Sequence, residues 1–338
     1  MQVSENVSLR PYNTFGMDVQ ARYFAPFASL QQLQELTQDA RWQSLPAMIL
    51  GGGSNILFTG DFNGLVLKNE LKGITVLRED DQYIYVKAGA GENWHQFVMD
   101  CIAHNRAGLE NLSLIPGNVG ASPMQNIGAY GVEIKDYFHE LEAWHLQDHT
   151  TVTFNNEDCA FGYRESVFKR QYKGQFVILS VTYRLRKKPL FNTSYGAIEE
   201  ELKKMGIQEL SIKAVSQAVI NIRSSKLPDP AEIGNAGSFF KNPTITAAQF
   251  ETLHSQHSNI VAYPVAGGHY KLAAGWLIEQ CGWKGYRSGD AGVHARQSLV
   301  LVNYGHASGQ EVYQLSQQVL DSVHEKFGVE LEREVNIV

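Results

Sequence analysis

Residues 115–131 read IPGNVGASPMQNIGAYG and carry no charged side chain. Glycine recurs along the stretch, which lets the backbone adopt positive φ and approach a ligand closely. Pro116 and Pro123 stiffen its path, and apolar residues such as Ile115 and Ile127 can anchor it, so we expect an ordered loop. Long ordered loops are commonly functional. The stretch therefore predicts an uncharged polar cradle for a flat, extended ligand; the alternative is a buried loop with a structural role.

The composition predicts a folded protein that does not act mainly on nucleic acid. The chain has 338 residues, of which 43% are hydrophobic, so a large core and more than one domain are expected. Its formal net charge is −6, and no cluster of lysine and arginine offsets this charge. Since phosphate backbones are bound by such clusters, the charge argues against nucleic acid as the main partner.

Cysteine usage and hydropathy indicate the compartment. The 3 cysteines are far apart in sequence, which argues against a disulfide framework and a spaced metal site. Cys101 falls on an apolar helix face, where a buried and inert thiol is expected. No stretch has the length of a membrane span or the composition of a signal peptide. We therefore expect a cytoplasmic protein.

A second glycine-rich loop, GGGSN at residues 51–55, follows the predicted strand 47–50. It is not a Walker loop, because no Gly-Lys-Ser/Thr ends it. It is not a dinucleotide fingerprint either, because Ile56 stands where the last glycine would be. Its backbone N–H groups could still form a nest for an anion. An anion site and a plain turn between strands both remain open for this loop.

Hydrophobic periodicity and capping signals predict helices and strands that are mixed without regular alternation, an α+β fold. Predicted helices follow the capping residues Ser29, Asn93 and Ser308, the last ending at Gly328, and others are expected at 197–205, 213–224, 247–256 and 271–281. Predicted strands lie at 47–50, 65–68, 74–77, 83–88, 140–145, 150–154, 176–185, 298–303 and 331–338. Asn63-Gly64 predicts a hairpin turn, and the breakers at 187–189 and 226–230 predict boundaries.

Three short motifs combine a polar residue with a constraining backbone. Arg164 lies in FGYRES at 161–166, where it is either functional or a surface partner of Glu165. Ser238 lies in GSFFKNP at 237–243, which is not a nucleophile elbow because Phe240 replaces the second glycine. Glu332 and Glu334 are expected on one face of the last strand, where a solvated role is the alternative. The 11 histidines show no metal-ligand spacing, so no metal site is predicted.

Taken together and in order, the motifs resemble one family over nearly the whole chain. They are TFG at 14–16, GGGSN at 51–55, GAGENW at 89–94, GLENLSLIPG at 108–117, QNIGAYG at 125–131, FGYR at 161–164, KLPDP at 226–230, NAGSFFKNP at 235–243, KLAAGWLIEQCG at 271–282 and LEREV at 331–335. The set resembles the UDP-N-acetylenolpyruvoylglucosamine reductase (MurB) family. It is similar to the branch of that family with an added tyrosine-bearing loop, here near residues 193–196.

The resemblance implies an α+β fold with a two-subdomain FAD-binding module, similar to the vanillyl-alcohol-oxidase (PCMH) type, and a smaller α+β substrate domain. The implied FAD-binding subdomains are residues 1–67 and 68–225, with 328–338 returning to the second of them. The implied substrate-binding domain is 226–327.

The resemblance also implies the reaction and its partners. The family reduces UDP-N-acetylglucosamine enolpyruvate to UDP-N-acetylmuramate in peptidoglycan synthesis, with non-covalent FAD as cofactor and NADPH as co-substrate. Reduced flavin gives a hydride to the terminal methylene carbon, and a proton then reaches the adjacent carbon. A monomer that needs no metal, nucleic acid or membrane is implied.

Residues carried over from the family motifs fall into three groups. The implied catalytic residues are Arg164 and Glu334, which serve the substrate carboxylate, and Ser238, which donates the proton. The implied FAD-binding residues are Gly51, Gly52, Gly53, Ser54, Asn55, Ile115, Pro116, Gly117, Gly120, Ala121, Ser122, Asn126, Gly128 and Arg164. The implied substrate-binding residues are Tyr130, Tyr163, Tyr195, Lys226, Asn242 and Gln297, of which Lys226 and Tyr195 face the phosphates.

Two other functions compete with this interpretation. The first is a different flavin enzyme on the same scaffold, such as an alcohol or hydroxy-acid oxidase, which would produce peroxide from oxygen. The second is a non-enzymatic protein that binds nucleotide sugars, which would be colourless when purified.

Overall fold

The chain forms two compact units, each discontinuous in sequence. The computed structural model describes residues 3–42, 44–195 and 197–338, so Gly196 of the predicted tyrosine-bearing loop lies outside the described residues. The first unit comprises the residues up to Val7, Ala21–Gly52 and Asn63–Ser225. The second comprises Ser8–Gln20, Gly53–Phe62 and Lys226–Val338.

The first unit is built on two larger β-sheets and a small hairpin. In the five-stranded sheet every strand is antiparallel to its neighbours, in the order Thr150–Asn155, Phe138–His145, Phe176–Arg186, Tyr83–Gly89 and Ile74–Glu79. The four-stranded sheet has the order Ser4–Ser8, Gln20–Phe27, Phe62–Asn69 and Ala47–Leu50, the last two being parallel. The hairpin pairs Gly128–Ala129 with Val132–Glu133.

Helices cover these sheets because their apolar faces match the sheet faces. The α-helices of the first unit are Leu30–Gln38, Trp94–Ala103, Asn156–Cys159, Ile198–Lys204 and Ile212–Lys226. Its 3-10 helices are Glu110–Leu112, Val119–Ala121, Ile134–Asp136 and Val167–Lys169. The main core joins the helix Trp94–Ala103 to the five-stranded sheet, and a second core joins both sheets to the helix Leu30–Gln38.

The second unit contains short strands around one long helix. Its four-stranded sheet has the order Gly234–Asn235, Leu301–Asn303, Ala291–Val293 and Arg287–Ser288. Its three-stranded sheet has the order Thr244–Thr246, His269–Leu272 and Ala262–Val265. A two-stranded sheet pairs Asn336–Ile337 in parallel with Ile56–Leu57. Its α-helices are Ala247–Gln256, Ala274–Gln280 and Gly309–Phe327, and Arg10–Tyr12 is a 3-10 helix. The long helix buries Val312, Val319 and Val323 against the strands Ala291–Val293 and Leu301–Asn303.

Capping residues determine where the predicted helices begin and end. The Asn93 side chain accepts a hydrogen bond from the Gln96 amide, and the buried face of the following helix includes Cys101 as predicted. Burial raises the pKa of the Cys101 thiol, which confirms an inert cysteine. Ser308 forms a capping box with Glu311, and Gly328 ends that helix in the left-handed conformation. These predictions are confirmed.

The structure differs from four local predictions. Asn63 and Gly64 do not form a hairpin turn but lie inside the strand Phe62–Asn69. The helix predicted at 271–281 begins only at Ala274, because His269–Leu272 pairs with strands on both sides. The predicted final strand 331–338 is regular only over Asn336–Ile337. The strand predicted at 298–303 is likewise reduced to Leu301–Asn303.

The unit boundaries differ from the predicted domains. Residues 328–338 group with 226–327 and do not return to the unit that contains 68–225. The reason is local pairing, since Asn336–Ile337 lies beside Ile56–Leu57 and residues 53–62 belong to the second unit. The breaker at 187–189 lies inside the first unit, whereas the division falls between Ser225 and Lys226.

Glu110 places a carboxyl group inside the first unit and gives a testable pH dependence. It is 2% exposed and accepts a hydrogen bond from the Gly108 amide at 2.6 Å. Burial raises the pKa of this carboxyl in the folded protein. In the unfolded chain the pKa of a glutamate is about 4.3. The folded protein therefore loses stability as the pH rises from that value through the higher pKa of the folded state. We expect Glu110→Gln to be more stable than wild type at about pH 8, with no gain at about pH 4. Urea unfolding at both pH values measures this, and a gain only at the acidic pH contradicts it.

Candidate active site and cofactor loops

Backbone hydrogen bonds hold the uncharged loop, residues 115–131, along the segment 90–94 of the first unit. The amide of Gly120 donates to the Ala90 carbonyl, and the amide of Trp94 donates to the Gly117 carbonyl, both at 2.9 Å. The Asn118 side chain donates to the Gly91 carbonyl at 3.1 Å. The loop is therefore ordered, as its apolar anchors predict.

Two positions on these loops have no room for a side chain. A Cβ atom on Gly52 would lie 2.8 Å from the Gly117 Cα atom, so the two glycine-rich loops are in backbone contact. A Cβ atom on Gly53, where φ is +64°, would lie 1.9 Å from the Tyr12 carbonyl oxygen. Both glycines are required by close backbone approach, and Gly53 also by its left-handed conformation.

The glycine loop, residues 51–55, keeps backbone donors available. Among the residues that the structure describes, no acceptor pairs with the amides of Gly52, Gly53 or Ser54. The end of the loop is fixed within the second unit, because the Asn55 carbonyl accepts hydrogen bonds from the amide and the side chain of Asn336. Successive free amides on a fixed backbone can bind an anion such as a diphosphate.

Two predicted cofactor-binding residues use their side chains inside the protein. The hydroxyl groups of Ser122 and Tyr183 hydrogen-bond at 2.6 Å in the core. The Asn126 side chain donates to the Glu133 carboxylate and the Gly162 carbonyl and accepts from the Lys135 amide. Both side chains shape the loop, so only their backbone is left to face a ligand. The other predicted positions of the loop, Ile115, Pro116, Gly117, Gly120, Ala121 and Gly128, are partly buried or exposed.

Two arginines lie close together in the first unit. Arg164 has a left-handed backbone, with φ +55°, and its guanidinium donates to the Gly128 carbonyl at 2.7 Å. Arg223 lies on the helix Ile212–Lys226, and its Nε donates to the Leu114 carbonyl at 3.2 Å. Burial lowers the pKa of Arg223, and the charge of Arg164 lowers it further. Two guanidinium groups in one place attract a strongly anionic ligand.

Sequence reasoning did not identify Arg223. Its helix carries several polar residues, and only its position three residues before Lys226, on the same helical face, distinguishes it. The structure adds that the Leu114 peptide is held from both sides, since its amide donates to Nδ1 of His95 at 3.0 Å. Leu114 is itself left-handed, with φ +58°. The start of the uncharged loop and Arg223 are thus fixed together.

Three predicted substrate tyrosines also belong to the first unit. Tyr130 is partly buried, and burial raises the pKa of its phenol. The Arg223 guanidinium and the Tyr195 phenol also interact electrostatically with it. Tyr163 is 37% exposed, with the Arg164 guanidinium 5.5 Å from its ring centroid. Tyr195 is 55% exposed. Tyr130, Tyr195, Arg164 and Arg223 therefore form one cluster of phenols and cations.

In the second unit, backbone pairing places Ser238 next to Glu334 in the fold. The Glu334 amide donates to the Phe239 carbonyl at 2.8 Å, and the Lys241 amide donates to the Glu332 carbonyl at 2.9 Å. Gly237, with φ +69°, turns the chain before Ser238. No group of the described chain hydrogen-bonds to the Ser238 hydroxyl, which leaves it available to a ligand.

The two C-terminal glutamates have different surroundings. The Glu332 carboxylate pairs with the Lys241 ammonium group at 2.6 Å, and Lys241 is buried. The Glu334 carbonyl accepts a hydrogen bond from the Asn55 side chain at 3.3 Å, which ties this residue to the glycine loop. Of the two, Glu334 is the one connected to both the Ser238 segment and the loop.

The remaining predicted substrate residues lie at helix ends. Oδ1 of Asn242 accepts a hydrogen bond from the Ala274 amide at 3.0 Å, and Oε1 of Gln297 is 3.3 Å from the position of a Cβ on Gly275. Asn242 and Gln297 therefore both lie near the start of the helix Ala274–Gln280. Lys226 is exposed and is the last residue of the helix Ile212–Lys226.

Residues 3–42, 44–195 and 197–338 contain neither a cluster of metal ligands nor a helix suited to a membrane. Within these ranges no group of three or more histidine, cysteine or acidic side chains could hold a metal ion. No helix in the same ranges combines the length and the apolar character that crossing a membrane requires.

Known proteins are similar to this chain over its full length. A UDP-N-acetylenolpyruvoylglucosamine reductase from Pseudomonas syringae pathovar tomato is 52% identical over 337 residues, which is 100% of this chain and 99% of that protein. A reductase of the same name from Amoebophilus asiaticus is 52% identical over 338 residues, covering 100% of both. The chain belongs to the UDP-N-acetylenolpyruvoylglucosamine reductase family. The predicted resemblance to this family is confirmed, and membership of the branch with the tyrosine-bearing loop stays a prediction.

Family models and a solved structure agree with this membership. Residues 229–338 match the C-terminal domain of UDP-N-acetylenolpyruvoylglucosamine reductase, and residues 21–155 match an FAD-binding domain. The crystal structure of the reductase from Thermus caldophilus has a TM-score of 0.70 and 24% identity, covering 100% of this chain and 99% of that one. The predicted α+β fold with an FAD-binding module is confirmed.

The residues present fit FAD as the cofactor. The FAD-binding match includes both the glycine loop and the uncharged loop. The glycine loop has free amides for a diphosphate, and a side chain at Gly52 would fill the space where the two loops meet. The uncharged loop has no acidic group that would repel the diphosphate. The prediction of FAD is confirmed.

Proposed function

We propose that this chain reduces UDP-N-acetylglucosamine enolpyruvate to UDP-N-acetylmuramate, a step of peptidoglycan synthesis, with NADPH as the reductant. The names of the relatives support the reaction. The observation in the chain that carries the proposal is the neighbouring pair Arg164 and Arg223 at the uncharged loop. The substrate has a carboxylate on which negative charge grows during the reaction, and two cations beside an uncharged wall suit that charge.

The cofactor would be held by backbone more than by charge. Gly51, Gly52, Gly53, Ser54 and Asn55 would bind the diphosphate of FAD through their amides. Residues 115–128 would line the rest of the cofactor. FAD, when bound, would supply the hydride, with NADPH as its source. We propose non-covalent binding, because neither loop contains a histidine or a cysteine.

The reacting groups are assigned by their motifs. Arg164 would bind the substrate carboxylate and stabilise the charge that develops when hydride adds to the methylene carbon. Ser238 would give its hydroxyl proton to the adjacent carbon, which completes the addition across the double bond. Glu334, protonated during turnover, would donate a hydrogen bond to the same carboxylate. Preorganised donors of this kind commonly supply the largest share of catalysis.

Other residues would bind the nucleotide sugar. Tyr195 and Lys226 would contact its phosphates, since both are exposed and one is a cation. The further substrate-binding residues would be Tyr130, Tyr163, Asn242 and Gln297. Asn242 supports this assignment, because only its carbonyl oxygen has a partner among the described residues and its amide hydrogens remain to donate.

The setting of the reaction is also a proposal. We place it in the cytoplasm, since Cys101 and Cys159 are free and buried, as suits a reducing compartment. We propose that the enzyme acts as a monomer. Analytical ultracentrifugation at working concentration tests this, and a dimer peak contradicts it.

The function is tested by product analysis. Purified protein is incubated with NADPH and the enolpyruvyl sugar nucleotide, and the product is analysed by mass spectrometry while peroxide is assayed. We expect NADPH consumption that depends on the sugar nucleotide, a product two hydrogens heavier, and no peroxide above background. Peroxide formed with an alcohol or hydroxy acid would instead identify an oxidase. A colourless protein that binds the nucleotide sugar without turnover would indicate a binding protein.

Arg223 gives a prediction of its own. Hydrogen bonds to charged groups contribute about 1.5–3 kcal/mol, so Arg223→Met is expected to lower kcat/KM for the sugar nucleotide roughly 10- to 100-fold. Lys213→Met, at an exposed position of the same helix, serves as the control and should leave kcat/KM unchanged. Steady-state kinetics measures both variants, and equal rates for the two would exclude a functional role for Arg223.

A further inference from the structure

The hairpin that carries Tyr130 turns in an unusual way for a tyrosine. Its strands Gly128–Ala129 and Val132–Glu133 are joined by Tyr130 and Gly131, with φ +50° and +79°. Two consecutive left-handed residues form a type I′ turn, which normally takes asparagine or glycine at its first central position. A tyrosine keeps this conformation only where surrounding contacts impose it, and such positions concentrate at functional sites.

Two asparagines supply those contacts. Asn111 is 1% exposed and donates both hydrogens of its amide, to the Tyr130 carbonyl at 3.0 Å and to the Asn192 carbonyl at 2.8 Å. The Asn192 side chain donates in turn to the Gly131 carbonyl at 3.0 Å. Asn111 and Asn192, here called the asparagine clamp, therefore join the turn to the segment that leads to Tyr195.

The segment 188–195 is attached at few points. In the described part of the chain, its hydrogen bonds are those of Asn192, and Phe191 packs against the main core. Leu190 precedes these two residues and is 65% exposed, and Tyr195 follows them and is 55% exposed. A cavity of about 530 Å³ lies beside the segment, lined by residues from the turn and by 190–194. Residues beyond Asn192 thus have room to move about a fixed point.

Tyr195 also lies directly against the turn. A Cβ atom on Gly131 would be 3.0 Å from Nδ2 of Asn192 and 3.2 Å from Cβ of Tyr195. A side chain at position 131 would crowd Asn192 and Tyr195, and the φ of +79° disfavours one as well. The turn, the clamp and the absence of a side chain at Gly131 together bring Tyr130 and Tyr195 next to each other.

We propose that Asn111 and Asn192 are positioning residues that set Tyr130 and Tyr195 as a pair for the diphosphate of the nucleotide sugar, with Asn192 as the pivot of the tyrosine segment. This inference rests on the proposed function for the role of the two tyrosines. Losing the clamp lowers the population of the binding-competent segment, which raises the apparent dissociation constant by the same factor. The chemical step after binding is unaffected.

Asn192→Ala is the primary test, because Asn192 is partly exposed and its loss does not leave a cavity in the core. We expect KM for the enolpyruvyl sugar nucleotide to rise roughly 3- to 10-fold, as expected for one lost hydrogen bond, while kcat stays within about twofold. Calorimetric binding of UDP-N-acetylmuramate should weaken by the same factor. Asn156→Ala is the matched control, since Asn156 is also an exposed asparagine that donates to a backbone carbonyl, that of Lys135, in the same unit.

A double-mutant cycle separates positioning from a general structural effect. Tyr195→Ala alone should raise KM, and adding Asn192→Ala to it should change KM by less than about twofold, because Asn192 then has no Tyr195 to place while Asn111 still holds the turn that carries Tyr130. Equal effects of Asn192→Ala in both backgrounds would overturn the inference. If Tyr195→Ala raises KM but Asn192→Ala does not, the inference fails and the proposed role of Tyr195 stands. If Tyr195→Ala leaves KM unchanged, both fail.

Discussion

Ser238→Ala is expected to slow reduction of the enolpyruvyl substrate by about 10²–10⁴-fold, the usual contribution of a general acid. The variant should nevertheless let NADPH bleach the flavin at the wild-type rate, because proton donation to the substrate plays no part in that half-reaction. The prediction depends on the position of Ser238 beside the Glu334 segment and on a hydroxyl that has no partner among the described residues. Rapid-mixing absorbance at the flavin band follows the two half-reactions separately.

The control for this prediction lies in the same unit. Ser288 is exposed on the strand Arg287–Ser288, and Ser288→Ala should leave both half-reactions unchanged. If Ser238→Ala were within about threefold of wild type in the oxidative half-reaction, the serine would not be the acid. Slowing of both half-reactions would point to a disturbed FAD site instead of a lost proton donor.

Gly53→Ala is expected to destabilise the second unit by roughly 3 kcal/mol or more and to remove FAD from the purified protein. The added Cβ would overlap the Tyr12 carbonyl oxygen at 1.9 Å, and the left-handed φ of +64° is itself unfavourable for alanine. Relief would require the glycine loop to shift, which would displace the amides proposed to bind the diphosphate. Thermal unfolding and the ratio of flavin to protein absorbance measure the two effects.

Gly60→Ala is the matched control. Gly60 is close in sequence to Gly53, and a Cβ there would meet no atom within 4 Å. It should therefore retain FAD and change stability by no more than about 1 kcal/mol, the cost or gain of a glycine replacement alone. A Gly53→Ala protein that is as yellow and as stable as Gly60→Ala would refute the proposed packing of this loop.

Local signals predicted the helices better than the strands. Asn93, Ser308 and Gly328 fix helix ends through contacts within a few residues, so these ends can be seen in the sequence. Asn63-Gly64 is an equally clear local signal, but both residues lie inside the strand Phe62–Asn69, which stands between Gln20–Phe27 and Ala47–Leu50 in its sheet. Such pairing depends on residues distant in sequence, which local patterns do not reveal.

The same distinction applies to the candidate site. Motifs predict roles for Arg164, Ser238 and Glu334, but motifs do not reveal which way a side chain points. Ser122 and Asn126 lie in the right loop, yet their side chains satisfy internal partners. Arg223 carries no motif of its own, and its role follows only from its contact with Leu114 and its closeness to Arg164.

The most direct test of the proposed flavin-dependent reduction is an anaerobic absorbance spectrum of the purified protein during titration. We predict a yellow protein with flavin absorbance that one equivalent of NADPH bleaches, and that subsequent addition of UDP-N-acetylglucosamine enolpyruvate restores without oxygen. A protein with no flavin absorbance, or one whose reduced flavin is reoxidised by oxygen but not by the enolpyruvyl sugar nucleotide, would contradict it.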